Sequence, residues 1–345
     1  MKLSDICDVY SGYAFKTFND LGHGVPVIKI SNLLSDGSMD LINCLYTTEN
    51  IKEKFYSKKS DIYIALSGAT TGKISIMDKD NTFAINQRVG IIRNRSTIPN
   101  EYLKYFLMSK SNRILEEASG CAQPNISPKQ IANYEVPKCS DAEMGKIVSE
   151  LREIDKIKNT HQKQLELLDE LVKARFVEMF GEIEDCDKWK SKIWNEVVTI
   201  KNGRDYKKVL VSDGGYPVVG TGGEIARASK YLCPENTIVV GRKGSINNPM
   251  LMKEKFWNVD TAFGVIPNSD YLHYQYFYYF CKFYNFMKLN KATTLPSTTK
   301  ADLLKIRINI PPLELQNQFA SFVEQIDKSR LLSNHSLLLL KSITF

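Results

Sequence analysis

The stretch IVSELREIDKIKNTHQKQLELLDELV (147–172) has a second copy of its apolar pattern in FASFVEQIDKSRLLSNHSLLLL (319–340). In both, apolar residues recur alternately four and three positions apart, which is the heptad spacing of a coiled-coil helix. The seam residues are Ile147, Leu151, Ile154, Leu165, Leu168 and Val172 in the first copy, and Phe319, Val323, Ile326, Leu337 and Leu340 in the second. Polar residues interrupt both seams at matching positions, which are Lys158 and His161, then Arg330 and Ser333.

The shared seam and the shared interruption predict that the two helices pair with each other. A polar residue on a seam costs stability but fixes the register of the pair. An antiparallel pair fits two halves related by a pseudo-two-fold axis. A parallel pair would also bring the interruptions together, so the pattern leaves the direction open. Two amphipathic helices that pack on separate cores remain the alternative.

The segments that precede each helix are repeated as well. Internal repeats decide the architecture of a chain, and this series predicts two similar domains. The matching segments are KLSDICDVYSG (2–12) with KIWNEVVTIKNG (192–203), SGATTGKISI (67–76) with VGRKGSINNP (240–249), AINQRVGII (84–92) with VDTAFGVI (259–266), and QPNISPKQI (123–131) with LPSTTKADL (295–303).

Short apolar runs bounded by Gly, Asn, Asp and Ser predict strands and turns in both halves, and a helical stretch follows in each. The predicted fold class is α+β, with two repeated mixed α/β domains joined by a two-helix coiled coil for which the antiparallel arrangement is favoured. The predicted segments are 1–139 and 181–312 for the two domains, 140–180 for the central helix and 313–345 for the C-terminal helix. An insert near residues 30–60 lengthens the first domain, and loops that differ between similar scaffolds are where recognition usually differs.

The composition is that of a globular protein with a mildly basic charge. The 345 residues are 43% hydrophobic and carry a net charge of +7, which is compatible with an anionic partner such as nucleic acid. Seven scattered cysteines, none in CxxC spacing, indicate reduced thiols of a cytoplasmic protein and neither a disulfide framework nor a zinc site. No run of about 18 apolar residues occurs, so no membrane span is expected.

Known catalytic motifs are not matched. The segment SGATTGK (67–73) resembles a phosphate-binding loop, but Ser67 replaces its first glycine and Ile74 replaces the hydroxyl residue that holds magnesium. The segment VGTGG (219–223) lacks the spacing of a dinucleotide-binding loop. The sequence therefore predicts no catalytic residues, no metal site and no cofactor in this chain, with a nucleotide hydrolase using residues 67–73 as an alternative.

Polar and basic residues occur in turns at corresponding places of the two halves. Arg and Lys suit phosphates and guanine edges, whereas Asn and Gln suit adenine edges. Any one of these residues alone is more often a solvated surface group, and it is their recurrence that favours DNA binding. The candidates are Lys73, Arg88, Gln123, Asn125 and Lys129 in the first half, Arg242, Lys243, Ser297, Thr298 and Lys300 in the second, and Arg204, Lys207 and Lys208 in a basic loop without a clear counterpart.

Taken together, the motifs resemble those of the specificity (S) subunit of type I restriction–modification systems. The resemblance covers essentially the whole chain, and its strength lies in the combination of motifs. The segments that carry it are LSDICDVYSGYAF (3–15), SGATTGK (67–73) with AINQRVGII (84–92), QPNISPKQIANYEVP (123–137), LDELVKARFVEMFG (168–181) and LPSTTKADLLKIRINIPPLELQNQFASFVEQIDK (295–328).

The resemblance implies two target recognition domains, each reading one half of a bipartite site in double-stranded DNA. It implies that two helices in an antiparallel coiled coil hold them apart and dock two modification subunits, which bring S-adenosylmethionine and methylate adenine. Restriction subunits can join to form an ATP-dependent nuclease. None of this catalysis belongs to the specificity subunit. A coiled-coil scaffold protein without DNA recognition is the alternative function.

Overall fold

The computed structural model describes residues 1–77, 82–119, 124–183, 188–290 and 295–344, and in the last range it describes the side chains up to Leu337 except that of His335. The chain divides into two compact units. One comprises Met1–Gln162 with His335–Phe345, and the other comprises Lys163–Asn334.

The described residues of the first unit form seven strands and four short helices, followed by a long helix that continues into the second unit. The strands are β1 (Cys7–Ser11), β2 (Val25–Ile28), β3 (Leu45–Thr47), β4 (Ile62–Ala65), β5 (Ile74–Ile76), β6 (Ala84–Ile85) and β7 (Val89–Asn94). The helices are α1 (Leu3–Ile6), α2 (Asn100–Met108), α3 (Ser111–Ala118), α4 (Pro128–Ala132) and α5 (Asp141–Phe180), and short 3-10 turns lie at Ile30–Asn32 and Glu53–Phe55.

These strands form two sheets, a main one in the order β1-β7-β4-β5 and a smaller one in the order β3-β2-β6. All four residues of β4 are buried, as expected for a central strand that is covered on both faces. One face packs against α2–α4 and the start of α5, where Met144 and Val148 are buried. The half-buried Arg93 of β7 forms an ion pair with the buried Asp61, with two short contacts of 2.8 Å and 2.6 Å.

The second unit repeats this plan. Its strands are β8 (Ser191–Ile193), β9 (Val198–Asn202), β10 (Leu210–Val211), β11 (Tyr216–Gly220), β12 (Gly223–Ala228), β13 (Thr237–Gly241), β14 (Met250–Met252), β15 (Trp257–Asn258), β16 (Ala262–Pro267) and β17 (Arg307–Asn309). Its helices are α6 (Trp194–Val197), α7 (Tyr274–Phe283), α8 (Lys300–Leu303) and α9 (Leu313–Thr344), with 3-10 turns at Lys207–Val209 and Phe286–Leu289. The sheets have the orders β14-β13-β16-β9, β10-β12-β11-β15 and β17-β8.

The register of the two main sheets locates the equivalent residues of the repeat. Gly90 lies opposite Ile64 in the first unit, and Gly264 lies opposite Val239 in the second. Beyond the strands, Gly68 donates to the carbonyl of Pro124 over 3.1 Å, and Gly244 donates in the same way to Pro296 over 2.9 Å. Gly68 therefore corresponds to Gly244.

This equivalence corrects the alignment of residues 67–76 with 240–249, which had placed Gly68 opposite Gly241. The physical reason is conformational. Gly68 and Gly244 have φ angles of +85° and +83°, which glycine adopts readily, whereas Gly241 is still part of strand β13.

The two long helices pair in antiparallel fashion within the second unit. The Asp169 carboxylate of α5 accepts from Arg330 of α9 over 2.7 Å, and seven residues further along α5 the ring of Phe176 lies 5.5 Å from that of Phe319. The contacts move towards the C-terminus of α5 and towards the N-terminus of α9, so the two helices run antiparallel. The predicted fold class is confirmed, because these helices share one core in this unit and do not pack on separate ones.

The predicted seam residues differ in burial. The buried ones are Val172, Phe319, Val323 and Ile326, and the half-buried ones are Ile147, Leu151, Ile154, Leu165, Leu168 and Leu337. The side chain of Leu340 lies outside the described part of the structure. At the start of α5, Met144 and Val148 are more deeply buried than Ile147, since this end of the helix packs on the first unit's sheet and helices.

Across the described residues, no helix is both long and apolar enough to span a membrane. Within the same ranges, no three His, Cys, Asp or Glu side chains come together in a way that could hold a metal ion.

Candidate nucleic-acid interface

The first unit contains a cleft of about 730 Å³. Its walls are the end of β1, the turns after β4 and β6, and the segment that leads into α4. Its polar lining consists of Ser11, Ser67, Gln87, Arg88, Asn125 and Ser127. The backbone fixes this arrangement, because Ser67 and Asn125 form an antiparallel bridge and the amide of Ile126 donates to the carbonyl of Leu66 over 2.8 Å. Ser127 then caps α4 by accepting from the amide of Gln130.

In the second unit, the corresponding cleft of about 500 Å³ has the polar lining Asn202, Arg242, Lys243, Ser297, Thr298, Thr299 and Lys300. The frame is the same, since Lys243 and Ser297 form the antiparallel bridge and Thr299 caps α8 in the way that Ser127 caps α4. The hydroxyl of Thr298 is buried and donates to the carbonyl of Gly241 over 2.8 Å. Thr298 therefore holds the wall of the cleft in place.

The two clefts share a backbone frame and differ in chemistry. The first presents one cation, Arg88, beside the amide side chains of Gln87 and Asn125, all three of them exposed. The second presents the cations Arg242, Lys243 and Lys300. Two of these cations are partly committed to the protein, because Arg242 donates to the carbonyl of Asp260 over 3.3 Å and Lys300 donates to that of Ile200 over 2.9 Å.

The structure thus brings together seven of the predicted DNA-binding residues in two clefts. These are Arg88 and Asn125 in the first, and Arg242, Lys243, Ser297, Thr298 and Lys300 in the second. Lys129 is exposed on α4 beside the first cleft, and Lys73 is half-buried just before β5, where neither residue lines the cleft. Gln123 lies outside the described residues.

The remaining predicted residues, Arg204, Lys207 and Lys208, are exposed on the loop that follows β9. Trp257 of β15 anchors this loop by donating from its indole nitrogen to the carbonyl of Arg204 over 3.0 Å. The three basic side chains therefore lie at the sheet β10-β12-β11-β15, and they do not line the cleft.

Sequence reasoning missed Gln87 and Asn202, which line the first and second clefts. Both were adjacent to residues already marked by the repeat. Gln87 precedes Arg88, and Asn202 precedes the glycine that ends the second opening segment. A polar residue next to a repeated glycine or arginine was the sequence signal that could have identified both.

The segment 67–73 forms a turn whose backbone amides are already engaged. The amide of Gly68 donates to Pro124, that of Gly72 donates to Ala65 over 2.9 Å, and that of Lys73 donates to Thr70 over 3.1 Å. A phosphate-binding loop needs such amides directed at its ligand. This geometry weakens the nucleotide-hydrolase alternative.

Burial raises the pKa of Cys7 to about 11 and that of Cys233 to about 12, so neither thiol is a ready nucleophile at neutral pH.

The helix pair of the second unit has an apolar outer surface. Leu167 and Leu171 of α5 are 52% and 47% exposed, and Leu331 of α9 is 69% exposed. Leu167 and Leu171 are four residues apart and so share one face of α5, and adjacent exposed leucines are typical of a surface that another protein covers.

Comparison with known proteins gives a family. The model of the type I restriction modification DNA specificity domain matches this chain twice, at residues 1–168 and 186–341. The chain is 23% identical over 367 aligned residues to the putative type I restriction enzyme MjaX specificity subunit of Methanocaldococcus jannaschii, covering 94% of this chain and 86% of that protein. It is 27% identical over 183 residues to the type I restriction enzyme MjaVIII specificity subunit of the same organism, covering 50% of this chain and only 43% of that protein.

Solved structures agree at the level of the fold. The S subunit of a type I restriction–modification system from M. genitalium matches 100% of this chain and 93% of its own, with a TM-score of 0.60 and 16% identity. A structure described as the basis of complex assembly and conformational transition of the type I system matches 100% of this chain and 94% of its own, with a TM-score of 0.56 and 16% identity. With two family domains along most of its length, the chain belongs to the family of type I restriction–modification DNA specificity subunits.

Proposed function

We propose that this chain recognises DNA for a type I restriction–modification complex and that each domain reads one half of a bipartite site. The observation that carries the proposal is that one cleft is built twice on the same backbone frame, with different side chains lining it. Two related scaffolds with different recognition residues are what two readers of different half-sites require. The target recognition domains are assigned to 1–139 and 181–312, and the helices to 140–180 and 313–345.

The lining suggests how the half-sites differ. In the first cleft, the amide groups of Gln87 and Asn125 can pair with an adenine edge, and Arg88 can pair with a guanine edge or a phosphate. In the second cleft, Arg242 and Lys243 favour guanine edges and phosphates. Contacts with the DNA backbone are proposed for the other described candidates, which are Lys73, Lys129, Arg204, Lys207 and Lys208, and Gln123 stays a candidate from the sequence alone.

The helix pair is proposed to dock two modification subunits, and the exposed leucines Leu167, Leu171 and Leu331 support this role. Those subunits would bring S-adenosylmethionine and methylate adenine, and restriction subunits would add ATP-dependent cleavage. This chain would contribute recognition and assembly only. Purified alone, it is expected neither to methylate DNA nor to hydrolyse ATP, and either activity in the isolated chain would contradict the proposal.

The alternative, a coiled-coil scaffold without DNA recognition, is separated by the salt dependence of DNA binding. Neutralising phosphates releases counterions, so the logarithm of the affinity for DNA falls linearly with the logarithm of the salt concentration. A scaffold protein would show no such dependence. The membership of both domains in a DNA specificity family favours recognition.

The decisive experiment maps methylated adenines in cells that carry the complex with the Arg242→Ala and Lys243→Ala variant. If these side chains reach base edges, discrimination should fall by about 1–3 kcal/mol per bidentate contact, at one half-site only. If they contact phosphates, affinity should fall for all sequences alike and the salt slope should decrease by about one for each lost contact.

The matched control is Lys305→Ala with Arg307→Ala, which also removes one Lys and one Arg from exposed positions of the second unit but leaves the cleft intact. The control should methylate the parental site. Replacing residues 190–311 by another specificity domain should change one half-site and preserve the other. Altered bases in both halves, or in neither, would contradict two independent readers.

A further inference from the structure

A second cleft of the second unit lies between strand β14 and helix α7, with α9 closing its side, and has a volume of about 390 Å³. It shares no residue with the proposed DNA cleft. The residues that matter are Leu251 and Lys253 on the strand side, Gln275, Tyr278 and Lys282 on α7, and Arg330 on α9.

Gln275 is the unusual feature of this cleft. The residue is 3% exposed, and within the described structure its side-chain oxygen Oε1 is buried without a hydrogen-bond partner. Its backbone amide is already satisfied by the Nδ1 atom of His273 at 3.2 Å. Buried polar atoms are nearly always paired in native proteins, because leaving one unpaired costs free energy. Gln275 lines the cleft, so a rotation of its side-chain amide would bring Oε1 to a ligand N–H there, and that hydrogen bond would remove this cost.

The first unit fills the corresponding place with its own chain. In that unit the edge strand is β5 and the adjacent helix is α2, and the segment Leu33–Leu41 of the insert lies over both. The hydroxyl of Ser75 on β5 donates to the carbonyl of Ser38 over 2.8 Å. Gly37 approaches α2 so closely that a Cβ atom there would lie 3.0 Å from the side chain of Lys104. The neighbouring Asp36 interacts electrostatically with the same lysine.

The equivalence of the two places follows from the sheets and helices. Ile62 pairs with Ile76 across β4 and β5, and Thr237 pairs with Met252 across β13 and β14, which puts Leu251 in the position of Ser75. Helices α2 and α7 also correspond, because each uses a tyrosine hydroxyl to bond the long helix that packs on it. Tyr105 donates to Asp155 over 2.9 Å, and Tyr279 accepts from Arg330 over 3.3 Å.

The connection that could cover the cleft is much shorter in the second unit. The chain between β2 and β4 runs from Ile28 to Ile62, whereas the equivalent connection between β11 and β13 runs only from Gly220 to Thr237. That shorter connection contains strand β12, which pairs with β10 and β11 in the sheet β10-β12-β11-β15. The surface that is covered in one unit is therefore open in the other.

We propose that a loop of a modification subunit occupies this cleft in the assembled complex, and that the loop is acidic and turns at a glycine, as SDGS (35–38) does in the first unit. A backbone N–H of the loop donates to Oε1 of Gln275, and a carboxylate lies beside Lys253, Lys282 and Arg330. Lys282 and Arg330 are already paired with Asp169, and Arg330 is also paired with Asp327. The three cations of the cleft therefore exceed these two carboxylates by one charge, which Lys253 supplies and the acidic loop neutralises. The inference rests on the proposed function only in requiring a modification subunit as partner.

The test places the photo-crosslinking amino acid p-benzoylphenylalanine at Tyr278 in the full chain, assembled with its modification subunits. The control places it at Tyr231, an exposed tyrosine of the same unit that does not line the cleft. Irradiation should link position 278, and not position 231, to a modification-subunit peptide in which an Asp or Glu adjoins a glycine. A crosslink to DNA, to a second copy of this chain, or to no polypeptide would overturn the proposal.

An independent test reverses the charge of one lysine in the cleft, leaves the rest of the cleft unchanged, and measures the affinity for the modification subunit. Lys253→Glu should weaken the affinity for the modification subunit about tenfold or more, since like charges would then face each other across the interface. Lys255→Glu is the matched control, because it makes the same change two residues away and outside the cleft lining. Equal effects of the two variants would overturn the proposal.

Failure of this inference and failure of the proposed function give different results. If the chain were not a DNA-recognition subunit, the unmodified complex would itself methylate no bipartite site. If only the loop were misassigned, the unmodified complex and both lysine variants would methylate the same site, and position 278 would give no crosslink to a modification subunit.

Discussion

The strongest prediction separates docking from folding on the paired helices of the second unit. Leu167→Asp combined with Leu171→Asp should weaken binding of the modification subunits without unfolding the chain. Phe176→Ala, five residues further along the same helix, should instead lower the stability of the folded chain. The difference arises because the leucines are about half exposed, whereas Phe176 is 2% exposed and its ring contacts four other aromatic rings.

The expected magnitudes follow from this burial. Burying a whole leucine side chain contributes about 1.5–3 kcal/mol, so covering the exposed half of two leucines contributes about 1.5–3 kcal/mol in total. Losing that contribution weakens binding about 10- to 100-fold, and the charge of two buried aspartates weakens it further. The free energy of unfolding should change by less than about 0.5 kcal/mol at such exposed positions. Truncating Phe176 should cost about 3–5 kcal/mol of folding stability.

The assay measures binding of the modification subunit by calorimetry and stability by urea unfolding, on the same three proteins. Lys163→Asp is the control for charge, because it lowers the net charge by two, as the double leucine variant does, at an exposed polar position of the same helix. It should bind normally. The reasoning is refuted if the double leucine variant binds like the Lys163 control, or if it unfolds as easily as Phe176→Ala.

Three further predictions concern stability. Asp61→Ala leaves the half-buried Arg93 without its carboxylate and should lower the free energy of unfolding in urea by about 2–4 kcal/mol. A loss below about 1 kcal/mol would show that the pair is dispensable. Gly203→Ala should prevent the second unit from folding, because a Cβ there would overlap the backbone oxygen of Val259. Gly222→Ala meets nothing within 4 Å and should leave the circular dichroism spectrum unchanged. Burial lowers the pKa of His273, because the folded protein favours the neutral imidazole. The contribution of His273 to stability is therefore complete above its unfolded pKa of about 6.5, and it is lost as the pH falls towards the lower pKa of the folded state. His273→Asn should therefore flatten the dependence of the melting temperature on pH in this range, and an unchanged slope would contradict the assignment.

The repeat and the heptad seam were sufficient to predict the fold class, because both depend only on spacing along the chain. The direction of the helix pair was not predictable in this way. It is set by contacts between distant residues, such as Asp169 with Arg330, and a parallel pair would have satisfied the same seam. The turn after β13 was misaligned because glycine occurs on both sides of it, and only the backbone angles show that Gly244 makes the turn.

The candidate site was predictable to the extent that its residues recur in both halves. Arg88 and the pair Arg242 and Lys243 were found in this way. Gln87 was missed, since its place in the cleft depends on how the turn after β6 approaches the segment before α4. The packing of Leu33–Leu41 on its own sheet was also beyond sequence reasoning, because nothing in the insert indicates which surface it covers.

The first unit is built from two separated parts of the chain, and this affects how the protein folds during its synthesis. Residues 335–345 belong to this unit although the whole of the second unit, Lys163–Asn334, precedes them in the chain. A ribosome that adds about 5–20 residues per second needs on the order of ten seconds or more to produce that intervening stretch. The first unit therefore leaves the ribosome before its last helical segment exists, so the surface of the unit that this segment covers stays exposed during synthesis.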